Sequence, residues 1–163
     1  MRTSRPFIVA IACLLAVSFA APAAAACKPV VGLFEASVVP PGTGHCPPFP
    51  NAFCTAGRVW GGIQGTYQFV MTGAIPASQV TAVPLPPGIE NVLFFTGRSA
   101  VALLDGSTVE GSDTGSLDLP PGAGGFASLI TWDAKGGQIR LRGEFNPAAG
   151  TTSGEYIGTL CSE

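Results

Sequence analysis

Asp113 is the residue whose surroundings could do chemistry. It stands in 107–119, where Val109, Gly111, Asp113, Gly115, Leu117 and Leu119 alternate with Thr108, Glu110, Ser112, Thr114, Ser116 and Asp118. Successive side chains of a strand point to opposite faces, so the apolar odd face turns inward and takes Asp113 with it. Gly111 and Gly115 flank the carboxyl on that face and are expected to leave room beside it. A buried acid needs a partner or a raised pKa, and such groups concentrate at functional sites. Arg98 and Tyr67 are the expected donors. The alternative is a glycine-broken strand, in which a bulge turns Asp113 to solvent or lets it cap backbone amides.

Other chemistries find less support. Asp113-Thr114-Gly115 spells the core of the aspartic peptidases, where two carboxylates share a proton and activate water. Here Glu110, Gly111 and Ser112 precede it where apolar residues belong, and one copy would need a second chain to supply the other Asp. The chain has one histidine, His45, beside Cys46. With no second His and no C-x-x-C pair, zinc would lack ligands, so no metal site is expected. No serine sits in G-x-S-x-G, and Gly122-Ala123-Gly124-Gly125 follows two prolines and opens no helix, so a phosphate cradle is unsupported. Tyr67, Phe69, Phe95 and Trp132 are either core or the lining of an apolar pocket. In a small barrel these readings overlap, because the lumen is packed solid or holds one small ligand.

The chain has 163 residues, and 1–25 read as a secretion signal. Arg2 and Arg5 open it, 7–20 is apolar, and Ala23-Ala24-Ala25 offers a cleavage site. The mature protein is then one domain, 26–163, secreted or periplasmic. The apolar run is short for a membrane span, and no later one is longer, so no transmembrane segment is expected. Cys27, Cys46, Cys54 and Cys161 remain after cleavage, an even number in a compartment where disulfides persist. Of three connectivities the expected one is Cys46–Cys54, around a proline-bent loop, with Cys27–Cys161 tying the first mature residues to the last strand. A lipid on Cys27 is the competing reading, and it would leave three thiols.

The residues with 22 Gly and 15 Pro exclude a coiled coil or helix bundle. Nucleic acid is excluded as a partner: past the signal the basic residues are Lys28, Arg58, Arg98, Lys135, Arg140 and Arg142, against ten acids. Strand-like runs are expected over 30–39, 59–63, 66–72, 92–104, 107–119, 126–133, 138–145 and 155–161. Turns and loops are expected at 40–57, 73–90 and 120–125, with a type I′ turn at Asp105-Gly106 and a bulge at Gly97. About eight short strands in sequence order predict an all-β domain. A closed antiparallel meander barrel is favoured, with a two-sheet sandwich as the alternative.

Gly65-Thr66-Tyr67-Gln68-Phe69, Phe95-Thr96-Gly97, Asp105-Gly106-Ser107-Thr108 with Gly111 and Asp113, and Ser153-Gly154-Glu155-Tyr156-Ile157-Gly158 form a layout over 59–161. That layout resembles the allene-oxide-cyclase-like barrels, which are related in fold to the plant dirigent proteins. The resemblance implies an eight-stranded antiparallel barrel, cofactor-free and sometimes trimeric. The plant cyclases convert an unsaturated fatty-acid epoxide in the lumen, and none of their functional residues aligns onto this chain. Two functions follow as expectations: a barrel that binds, or isomerises, a small apolar molecule around Asp113, Tyr67, Phe69, Phe95, Trp132 and Arg98, or an extracellular module with a filled core and no active site.

Overall fold

Alternating apolar and polar residues between Gly and Pro turns favour strands, and the computed structural model is built of them. It describes residues 26–80, 83–87, 89–120, 122–133 and 136–162. The expected signal, 1–25, lies outside these residues. The strands are β1 (Ala26–Val39), β2 (Cys54–Gly61), β3 (Gly65–Pro76), β4 (Val92–Leu103), β5 (Thr108–Asp118), β6 (Gly124–Trp132), β7 (Gln138–Asn146) and β8 (Thr151–Ser162). Each pairs antiparallel with the next, and β8 pairs with β1. The sheet is therefore a closed barrel and not the alternative sandwich. Closure leaves no unpaired sheet edge.

Several boundaries differ from expectation. β2 begins at Cys54, five residues before Val59, because 54–58 completes its ladder against both β1 and β3. β3 runs on to Pro76, so the expected loop 73–90 shortens to 77–91 and carries two short 3₁₀ turns. The bulge is in β3, between Met71 and Gly73, and not at Gly97, which keeps regular register with Asp113. The Asp105-Gly106 turn is not type I′, which needs positive φ at both central residues. Among the described residues positive φ occurs only at glycines, here Gly106 at 84°. The Gly106 N–H donates to the Leu103 carbonyl and the Leu103 N–H to that of Ser107, giving a three-residue loop with left-handed Gly106 closing it. The Asp105 carboxylate accepts from the Ser107 N–H and hydroxyl, which favours this turn over the two-residue one.

Both expected disulfides are present, Cys27–Cys161 and Cys46–Cys54. Cys27 and Cys161 are directly opposite each other in the β1–β8 ladder. The bond closes a loop with a sequence separation of 134 residues. On the chain-entropy model such a loop is worth about 5 kcal/mol.

The lumen is filled from the end where β1 begins and β8 finishes. There Val30, Ile63, Trp132, Ile139, Tyr156 and Leu160 pack as a plug. The Ile63 N–H donates to the Tyr156 hydroxyl at 2.7 Å, and that hydroxyl turns back to the carbonyls of Trp60 and Ile63 at 3.2 and 3.1 Å. This ties β8 to the β2–β3 turn beneath the plug. The connections from β1 to β2, β3 to β4, β5 to β6 and β7 to β8 leave the strands at the other end, where the lumen keeps a small cavity.

Candidate functional site

Asp113 sits on β5 in regular strand geometry, and the burial of Val109, Gly111, Asp113 and Leu117 follows the odd face. The glycine-broken alternative is therefore excluded. At 2 % exposure Asp113 is among the most buried side chains of the barrel. The glycines beside it do not leave empty space. A Cβ at Gly115 would meet the Phe95 ring at 2.7 Å, one at Gly111 would meet Ile130 at 2.9 Å, and one at Gly97 would meet the Phe69 ring at 2.2 Å. Bare backbone lets these side chains lie against the wall, and they wall in the carboxyl. Phe69 and Phe95 then pack edge to face, 5.7 Å between centroids.

The carboxyl belongs to a polar strip across three strands. The Ser99 hydroxyl of β4 donates to Asp113 Oδ2 at 2.9 Å. The Tyr67 hydroxyl of β3 lies 3.2 Å from Ser99 Oγ. Tyr67 thus reaches the acid through Ser99 and not directly. Asp113 Oδ1 has no hydrogen-bond partner among the described residues. Burial raises the Asp113 pKa to about 6; the Ser99 and Ser128 hydroxyls and the Thr114 backbone moderate the rise. Burial, and the facing carboxylate, also push the Tyr67 phenol up, so it stays a neutral donor.

Above this strip lies a cavity of about 50 Å³, lined by Tyr67, Phe69, Phe95, Asp113, Ser128 and Thr152 together with Phe34, Phe53, Thr55, Met71, Leu117, Phe126 and Phe145. A single water needs roughly 10–15 Å³, so the space suits a group of a few heavy atoms. Phe53, Met71 and Phe126 are half-buried and form the rim toward the loop end. The Thr152 hydroxyl, on β8, is a second buried polar atom without a partner among the described residues, and it lines the same cavity.

Two expected site residues are elsewhere. Arg98 has the opposite parity to Phe95 and Ser99 on β4, so it points outward. It pairs there with Asp133, bonds Ser112, and has Glu110 at 3.7 Å. Trp132 does face inward, but in the terminal plug, where it packs with Ile63, Ile139 and Tyr156. The sequence reading missed Ser99, Ser128, Thr55 and Thr152. Each has the inward parity of apolar neighbours, as Ser99 does between Phe95 and Val101, and that parity was the available signal. His45 bonds the Phe69 carbonyl through Nε2 at 3.2 Å, which fixes the disulfide loop over β3. Among the described residues no group of His, Cys, Asp or Glu could hold a metal.

No family model, curated protein or solved structure matches this chain. The site must be read from its own geometry.

Proposed function

We propose that the chain is an exported barrel, cleaved near Ala25, that binds a small and largely apolar molecule in the loop-end half of its lumen. The observation that carries this reading is the aromatic cavity ending on Asp113 Oδ1 and the Thr152 hydroxyl, two buried polar atoms without partners among the described residues. An unsatisfied buried polar atom costs about 1–3 kcal/mol, and a ligand that bonds it recovers that cost. The two disulfides fit an oxidising compartment. The resemblance to the allene-oxide-cyclase-like barrels, whose substrate enters the lumen, supports the same reading. Isomerisation would fall to Asp113, since a carboxyl with a pKa of about 6 can take or give a proton near neutral pH.

The second reading, a filled core with no site, is favoured by one observation: the free space is about 50 Å³. A larger ligand must displace the rim rings of Phe53 and Phe126. Native mass spectrometry of protein purified from its own host separates the two. A retained small molecule, lost on Phe95→Trp filling of the cavity, supports the ligand barrel. A bare mass, with no binding of small aromatic probes, supports the filled core. The same spectra report whether the barrel forms a homo-oligomer, as the resemblance implies.

A further inference from the structure

The cavity's charge is one-sided. Of its lining side chains Asp113 alone is ionisable in the neutral range, and no Lys, Arg or His is among them. The elements packed against Asp113 supply no cation. β3 presents the Tyr67 phenol, and β4 presents Ser99 and Gly97, with Arg98 turned outward to Asp133 and Glu110. β6 presents Ser128 and Ile130, and the nearest imidazole, His45, is held on the Phe69 carbonyl. A buried carboxylate without a cation is costly unless something pairs with it. No donor among the described residues reaches hydrogen-bond geometry at the other oxygen of Asp113, Oδ1; the Ser128 hydroxyl and the Thr114 backbone temper the charge of the carboxyl without filling that position. Around it stand the rings of Phe69 and Phe95, and aromatic faces attract a cation.

Resting on the lumen-binding reading, we infer that the ligand is a small apolar amine, bound as its ammonium cation with an N–H donated to Asp113 Oδ1 and its hydrocarbon part among Phe69, Phe95, Leu117 and Phe145. The ammonium group supplies the charge the lumen lacks. A carboxylate ligand, such as a fatty acid, would meet Asp113 as a like charge and is disfavoured. Pairing with the cation favours ionised Asp113, so amine affinity falls as pH drops through about 6.

The test is calorimetric titration of residues 26–163, disulfides intact, with benzylamine, benzyl alcohol, toluene and benzoate, each of which enters only as the half-buried rim rings of Phe53 and Phe126 swing aside. At pH 7.5 benzylamine should bind at least tenfold tighter than benzyl alcohol, and benzoate should not bind. At pH 4.5 the preference for the amine should vanish in the wild type, a readout that needs no variant. Asp113→Asn should remove it at pH 7.5. Benzyl alcohol or toluene binding as tightly as benzylamine would overturn the amine inference and leave lumen binding standing. An amine preference that survives in Asp113→Asn would overturn it too, by placing the cation on the acidic surface. Binding of none of the four would overturn both readings together.

Discussion

Asp113→Asn separates a working carboxyl from an inert one through the pH dependence of stability. The folded-state pKa is about 6 and the ordinary value is 3.8, so the folded protein holds this proton more tightly than the unfolded chain. Stability from this group is fully present below pH 3.8 and is lost as pH rises through about 6. A difference of about two units corresponds to about 3 kcal/mol. Asn keeps the shape and has no proton to lose. Its amide leaves an unpaired donor in the cavity, a cost of about 1–3 kcal/mol that does not change with pH. The informative quantity is therefore the difference between wild type and variant, measured across pH, in which the other carboxylates cancel. Urea denaturation at pH values from about 3 to 8 should show the wild type losing about 3 kcal/mol relative to the variant, a midpoint change on the order of 1–2 M. Parallel curves for the two proteins would refute a buried, ionising Asp113, and with it the charge argument for the lumen.

Three further outcomes follow from the packing. Gly97→Ala should destabilise by about 1–3 kcal/mol, since its Cβ would enter the Phe69 ring, whereas Gly125→Ala, with nothing within 4 Å, should be close to neutral in the same denaturation assay. Tyr156→Phe should cost about 1–3 kcal/mol, because it strands the buried Ile63 N–H; amide exchange at Ile63 should accelerate selectively. Replacing Cys27 and Cys161 by Ser should cost up to about 5 kcal/mol, roughly twice the loss for Cys46 and Cys54, as the longer loop requires; denaturation of the two double variants compares them.

Parity and cysteine count carried most of the fold. The clean alternation of Ile139, Leu141 and Phe145 with Arg140, Arg142 and Glu144 places β7, and a cysteine bond between the first and last strands, Cys27 to Cys161, suits a closed sheet. The start of β2 was hidden because Cys54-Thr55-Ala56-Gly57-Arg58 has little strand preference of its own and is held by its two neighbours. At the site, parity placed Asp113, Phe69 and Phe95 correctly and could have rejected Arg98. It could not place Trp132, because alternation says which face a side chain takes and not how deep in the barrel it lies. Depth comes from register, which sets Asp113 opposite Gly97 and Ile130. The hydroxyl groups of Ser99 and Thr152 were passed over because small polar residues on an inward face look like solvent positions until the strands beside them are known.

The pairing of β1 with β8 also sets the order in which this chain can fold. Synthesis makes β1 before the other seven strands and β8 after them, so one side of β1 waits unpaired until β8 appears. The wait ends with the twelve residues of β8, which supply the register from Ser37↔Thr151 to Ala26↔Ser162. Such long-range pairing is slow to form, and an open edge is open to wrong partners meanwhile. A chain cut short before Thr151 keeps β1's free edge, leaves β7 without its neighbour, and has no Cys161 to bond Cys27. β8 thus acts as the barrel's check: only a chain that has reached it can hide its edges and form the Cys27–Cys161 bond, and one cut before it stays recognisable to proteases and chaperones.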